Sequence, residues 1–165
     1  MIDASVIIPV LNGANDLPDC LTAIQQQSIS NFEVIAVDNG SSDGSAEFIA
    51  SEFPDVHLIR NKTNIGFGPA CNIGLRAATG NVLVLLNQDT VVEQDWLAAL
   101  VDFLDANPDV GIAGSKAYFV NGNVQHAGAQ VTTQGHGRHY GHNEPDQPSF
   151  DDICDVDFVT GASLW

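Results

Sequence analysis

Apolar runs of strand length alternate along this chain with stretches whose apolar residues recur at helical spacing. Ser5–Val10 (SVIIPV) and Phe32–Val37 (FEVIAV) are short continuous apolar runs, which predict buried strands. Val56–Ile59 predicts a third strand, Val82–Leu86 a fourth, and Val110–Ala113 the start of a fifth. Between the first two, Leu17, Leu21 and Ile24 fall at i, i+4 and i+7. Asn15 can cap that helix, with Asp16 at its positive end and Pro18 in its first turn. Asp43 is expected to cap a second helix bearing Ala46, Phe48, Ile49 and Phe53. Gly66–Ala78 predicts a third helix, with Gly80 just past its end. Thr90-Val91-Val92-Glu93 has the form of a capping box, so the fourth helix is expected to open there and to end near Asn107-Pro108.

Strand and helix thus alternate four times. Strands apolar on both faces imply a mostly parallel sheet with helices on both sides, an α/β Rossmann-like fold. Ligands in such sheets sit beyond the carboxyl ends of the strands. Asn12, Asp38 and Asp89 all follow strand ends, so one crevice can collect them. After about residue 120 the texture changes. Gly, His, Asn, Gln and Pro dominate Asn121–Pro148, which predicts a flexible excursion or short antiparallel strands over about 121–150 within one domain of residues 1–165.

Composition narrows the partners. Five Lys and Arg stand against 21 Asp and Glu, a net charge of −16. Such a surface repels nucleic acid and anionic lipid, so an anionic ligand needs a cation or backbone N–H groups to hold it. The three cysteines, Cys20, Cys71 and Cys154, are far apart and in no CxxC pattern, which predicts reduced thiols used as small core residues in a cytoplasmic protein. No basic leader and no apolar run near membrane-spanning length occurs, so neither a signal peptide nor a membrane span is expected.

Three segments carry candidate chemistry. In LVLLNQDTVVEQDW an apolar strand runs directly into Asn87-Gln88-Asp89. Mg²⁺ or Mn²⁺ carried by a nucleotide takes one or two carboxylates, and Asp89 suits that role, unless it merely belongs to the loop before the next helix. In VDNGSSDGS, Asp38 could accept the N3–H of a pyrimidine base, or could serve an Asx-turn. In NIGFGPAC the glycines open a helix whose free N–H groups could meet an anion. This last segment also imitates a dinucleotide fingerprint, with Asp89 at about the usual acidic offset. Cys71 in the third glycine position and the polar stretch Arg60–Asn64 ahead of the glycines count against that reading. His136, His139 and His142 in GHGRHYGH, with His126 upstream, read as incidental loop histidines, because no helix pattern holds them toward a metal.

Taken together, these segments resemble the family 2 glycosyltransferases, nucleotide-sugar transferases of the GT-A type. VIIPVLNGANDLPDCLTAIQQQ resembles that family's first strand and helix, VDNGSSDGS its uridine- or thymidine-binding turn, and NKTNIGFGPACNIGLRAATG its N-x-GF-x-x-A-x-N-x-G segment. LLNQDTVVEQDWL is similar to its DxD region in the N-x-D form of rhamnosyltransferase-like members, and QHAGA and DFVTGASLW look like later segments. The resemblance implies a UDP- or dTDP-sugar donor, Mg²⁺ or Mn²⁺, a saccharide or lipid-linked acceptor, and inverting transfer in cell-surface polysaccharide synthesis, peripheral to the inner membrane face. It implies that Pro9, Leu11 and Asn12 line the nucleobase site, that Asp38 bonds the base, and that Asn64 and Gly66 approach the nucleotide. Asn87 would sit by the ribose or metal, Asp89 on the metal, His126 near the sugar or acceptor, and Gly161 and Ala162 beside the donor sugar.

The chain departs from the family pattern at Leu11, where an aromatic is frequent, at Asn87, which replaces the commoner first aspartate, and at Gln88, often a proline. The family's acidic motif with the general base follows the segment similar to DFVTGASLW. Asp151, Asp152, Asp155 and Asp157 precede it, so no catalytic base is assigned. The expectation is a chain that folds and binds a donor but transfers little sugar alone. Two other classes stay open: an NAD-binding oxidoreductase domain built on Gly66–Cys71, and a non-catalytic nucleotide-binding module.

Overall fold

Ala4–Val10 forms β1, in which Ala4, Val6, Ile7, Ile8 and Val10 are all fully buried. A strand buried this completely needs a paired neighbour on each edge and a layer on each face. β1 pairs in parallel with β2 (Phe32–Asp38) on one edge and with β4 (Val82–Leu86) on the other, and β3 (His57–Arg60) joins outside β2. The order is therefore β3-β2-β1-β4. One face, presented by Val6, Ile8 and Val10, packs against α1 (Leu17–Gln25), α2 (Ser45–Glu52) and α4 (Trp96–Ala106) through Leu21, Ile24, Ile49 and Leu97. On the other, Ile35 and Val37 meet Ala70 of α3 (Phe67–Ala77). Gly74 lets α3 approach: a Cβ there would lie 2.3 Å from a methyl of Ile7. The mostly parallel sheet with helices on both faces is thus the one the apolar pattern implies.

The computed structural model describes Ile2–Gly161 and the backbone of Ser163–Leu164, and it divides into two units, residues 1–111 and residues 112–164. The expected role of Ala162 falls outside the described residues. No helix among those residues is long and apolar enough to cross a membrane.

Four local expectations are corrected. The capping box at Thr90 opens no helix; α4 begins six residues later at Trp96, with Asp95 in the cap position. The β-branched run Thr90-Val91-Val92 disfavours helix, and tertiary bonds take over the start. Gln27, two residues past the end of α1, donates from Nε2 to Glu93 O (2.8 Å) and accepts from the Leu97 N–H at Oε1 (2.8 Å). An N–H that a local cap would serve is served from a distant segment of the chain. No strand forms at Val110–Ala113, where Ile112 is exposed. The caps of α1 and α2 fall at Asp16 and Gly44, one residue past Asn15 and Asp43. Cys20 and Cys71 are buried as expected of small core residues, but Cys154 is exposed.

The second unit is built of short antiparallel pairs, β5 (Ala117–Tyr118) with β6 (Val124–His126) and β7 (Ala129–Val131) with β8 (Gly137–His139). Lys116 holds both Asp146 and Asp151, and Tyr118 donates to Asp146 (2.7 Å). The histidines are less incidental than the sequence pattern suggests. His139 stands on β8, with its Nδ1 2.7 Å from Nδ1 of His126, which is 1% exposed. One of these nitrogens must carry the proton and the other accept it, so the pair cannot take a second charge without breaking. Burial, and then the charge of His139, pull the His126 imidazole down from 6.5 to about 4.

Two measurements test these contacts. Gln27→Met keeps the side-chain volume but strands Glu93 O and Leu97 N–H, and should lower unfolding free energy by about 1–3 kcal/mol. A urea midpoint shift at constant m-value, with faster exchange of the Leu97 amide, is the expected result. For His126, the unfolded chain binds a proton near pH 6.5 and the folded chain only near 4. Stability is therefore present at neutral pH and falls as pH drops through that window, on the order of 3 kcal/mol, levelling below it. Melting temperatures taken from pH 7 to 4 should show this slope in the wild type and a flatter one in His126→Leu.

Candidate functional site

β1, β2 and β4 run parallel, so the loops that follow them leave the sheet on the same rim. The loop after β1 is irregular, and its amides have no ladder to join. Four successive N–H groups instead donate to side chains: Leu11 to Gln88 Oε1 (2.8 Å), Asn12 to Ser41 Oγ (2.9 Å), Gly13 to Ser45 Oγ (2.9 Å) and Ala14 to Asp43 Oδ2 (2.9 Å). Three of those acceptors come from the SSDGS turn after β2, and one from the loop after β4. Asp43 is thereby more than a local cap. The hydroxyl of Ser45, followed by the Ala14 amide, holds its carboxyl below the usual range.

A second network ties the turn after β2 to the start of α3. Asn39, 4% exposed, donates from Nδ2 to Asn64 Oδ1 (2.9 Å) and to Gly66 O (3.3 Å), and accepts at Oδ1 from the Ile65 N–H (3.1 Å). Asn64 Oδ1 also takes the Gly66 N–H (2.8 Å). Gly66 is the cap of α3 at φ 95° and ψ 159°, a conformation open in practice to glycine alone.

These networks frame a cleft of about 410 Å³. Pro9 and Leu11 line it from β1 and its loop, Asn39 from the turn after β2, Asn64, Gly66 and Phe67 from the approach to α3, and Asn87, Gln88 and Asp89 from the loop after β4. Of the residues singled out from sequence, Pro9, Leu11, Asn64, Gly66, Asn87 and Asp89 are therefore brought together. Asp38 ends β2 one residue before the wall formed by Asn39. It is 4% exposed, and its Oδ1 takes a long bond from the Ser41 N–H (3.3 Å). Asn12 does not line the cleft. Its backbone sits at φ 49°, and its Oδ1 accepts from the Ser42 N–H (2.9 Å), so it bonds the neighbouring turn. His126 and Gly161 belong to the second unit, the first buried beside His139 and the second at an exposed turn.

Sequence reasoning passed over Asn39, Phe67 and Gln88. Asn39 was legible as the polar neighbour of Asp38, and Phe67 as the aromatic inside GFG. Phe67 is 54% exposed and Leu11 38%, so the cleft has apolar surface for a flat ring.

The electrostatics suit an anion that arrives with its own cation. None of the five Lys and Arg lines the cleft, and Asp89 is exposed on its wall. The N-terminus of α3 contributes partial positive charge through Gly66 and Phe67. Among the described residues no group of three or more His, Cys, Asp or Glu side chains could cage a metal. One carboxylate and one amide, Asp89 and Asn87, could contribute to holding a Mg²⁺ or Mn²⁺ ion if phosphate oxygens and water supplied its other ligands. Nearby, Cys20 donates to Asn87 O at 3.7 Å; burial, and then the charge of Asp89, push its thiol up to about 12, which keeps it inert. The dinucleotide fingerprint does not form. Residues 61–66 separate β3, an edge strand, from α3, where that motif needs a tight strand–turn–helix.

Comparison with known proteins identifies the family and the fold. The chain is 32% identical over 126 residues to glycosyltransferase AglE of Haloferax volcanii, covering 73% of this chain and 39% of that protein. Among the first curated relatives it matches, it spans between 14% and 41% of their length. The fold is similar to that of S. aureus TarS 1–349 in complex with UDP-GlcNAc, at a TM-score of 0.66 and 25% identity over 73% of this chain and 36% of that one. It is similar too to that of the mannosyltransferase PcManGT from Pyrobaculum calidifontis in complex with GDP-Man and Mn²⁺, at 0.64 and 32% over 69% and 35%. Residues 5–158 match the family described as Glycosyl transferase family 2, and the protein belongs to that family.

Proposed function

We propose that this chain is the donor-binding part of an inverting glycosyltransferase. It takes a UDP- or dTDP-sugar with Mg²⁺ or Mn²⁺ and presents the sugar to a saccharide or lipid-linked acceptor in polysaccharide synthesis. The observation that carries this reading is the shared cleft. Asp89, Asn87 and the start of α3 supply one end for a diphosphate, while Pro9, Leu11 and Phe67 supply apolar surface for a base. Asp38, almost fully buried one residue before the wall, is a charged acceptor suited to the N3–H of uracil or thymine.

The diphosphate sets the terms. A leaving nucleoside diphosphate gains charge as its bond to the anomeric carbon breaks, and a wall without Lys or Arg offers little against it. The divalent ion would supply Lewis-acid stabilisation of that charge. Asp89 would hold the ion, Asn87 would orient a metal-bound water or the ribose, and the amides at the start of α3 would take a phosphate oxygen. No general base is assigned: among the described residues Asp89 is the one carboxylate lining the cleft, and on this reading it would serve the metal. UDP-GlcNAc in the TarS complex supports a uridine nucleotide, and Mn²⁺ in the PcManGT complex supports the metal.

Calorimetric titration with UDP, dTDP, GDP, ADP and NAD, each with and without Mn²⁺, tests the reading. Metal-dependent binding of UDP or dTDP is expected. A preference for ADP or NAD would reject it. Asp89→Ala should weaken Mn²⁺-dependent binding by about 1–3 kcal/mol, the scale of a lost charged partner. It should leave the melting temperature close to wild type, since Asp89 is exposed. Asp38→Asn keeps the shape and removes the charge, so affinity for pyrimidine nucleotides should fall several-fold while affinity for free pyrophosphate with Mn²⁺ stays level.

A further inference from the structure

Gln88 makes two bonds to a single residue of the neighbouring loop. Its Oε1 accepts from the Leu11 N–H at 2.8 Å, and its Nε2 donates to Leu11 O at 3.2 Å. A side-chain amide paired with a backbone amide in this way copies one rung of a sheet ladder. The rung spans residues 77 apart in sequence, just beyond the point where the β1–β4 pairing ends at Ile7 and Leu85. The end of the side chain also lies on Gly13: a Cβ there would meet Gln88 Oε1 at 2.7 Å and its Cδ at 2.8 Å. The glycine therefore keeps the space that the amide fills, and its own φ is ordinary, so room rather than backbone freedom is what it provides.

Leu11 and Asp89 both line the cleft, and Asp89 is the residue after Gln88. We propose that Gln88 is a positioning residue that locks the loop after β1 to the loop after β4, delivering the base-facing edge and the metal-facing carboxylate as one surface. The proposal rests on the donor reading given above. A ligand that touches one loop gains nothing from the lock. A ligand that touches both, a nucleoside diphosphate with its metal, finds the two halves already at their working separation and does not have to order them.

Two variants remove the lock by different routes. Gln88→Met keeps the length and loses both bonds. Gly13→Ala leaves every bonding group in place and displaces the amide by volume. Each is expected to raise the exchange rate of the Leu11 amide at least about tenfold and to weaken UDP with Mn²⁺ on the order of tenfold, the worth of about one net hydrogen bond. Affinity for uracil, the base alone, which reaches one loop, should stay within about twofold, because the lock acts between sites. The double variant should be no weaker than either single one, since both remove the same contact. Unchanged Leu11 exchange in both variants would overturn the lock. Faster exchange with unchanged UDP affinity would overturn its positioning role, and so would equal losses for uracil and for UDP with metal. A wild type that binds no nucleoside diphosphate would reject the donor reading and the positioning role with it. The Leu11 exchange rates would still decide whether the two loops are joined.

Discussion

Four consecutive backbone amides, from Leu11 to Ala14, leave the central strand with no regular partner, and each is met by a side chain from an adjacent loop. The rest of the site depends on this constraint. An irregular segment at the middle of a sheet rim has to satisfy its polar groups or leave them to water, and a loop solvated by water would have no set shape. Because β1 lies between β2 and β4, the satisfying groups come from both sides: Ser41, Asp43 and Ser45 on one, Gln88 on the other. The cleft inherits its shape from that arrangement, and Asn39 repeats the device one step outward, binding Asn64 and the start of α3.

The same economy appears away from the rim. Gln27 serves the first turn of α4 in place of a local cap, and Ser5 Oγ takes the Gly80 N–H (2.8 Å) where the chain enters β4. Each is a buried polar side chain, and each closes a gap between elements that sequence distance would otherwise leave to chance. Such bonds contribute little individually beyond about 1 kcal/mol net, but leaving their buried partners unmatched costs more, and so they specify one arrangement over others.

Charge supplies the second organising fact. A chain at −16 with no Lys or Arg on the cleft wall can bind an anionic nucleotide only through dipoles and an added cation. Asp89 then makes sense as an exposed carboxylate at the end of an apolar strand. On the proposed reading it would hold the ion, and the ion, with the start of α3, would hold the phosphates.

Much of this was legible in the sequence. Apolar runs such as SVIIPV and FEVIAV specify buried parallel strands because burial on both faces leaves no alternation to read, and the order of strand and helix followed directly. Asn64, Gly66, Asn87 and Asp89, which line one cleft, could be singled out because glycine, amides and carboxylates near strand ends and helix starts have few structural reasons to be there. Tertiary structure decided the rest. The capping box at Thr90 is a valid local signal, overruled because Gln27 offers Leu97 a better partner than the local chain does. Asn12, expected at the base, is turned instead onto Ser42, and Asn39 stands on the wall. Gln88 looked like a departure from a motif; its purpose depends on Leu11 and Gly13, far away in the chain. A sequence states which groups need partners, but which distant side chain meets each need is settled only when the strands are laid side by side.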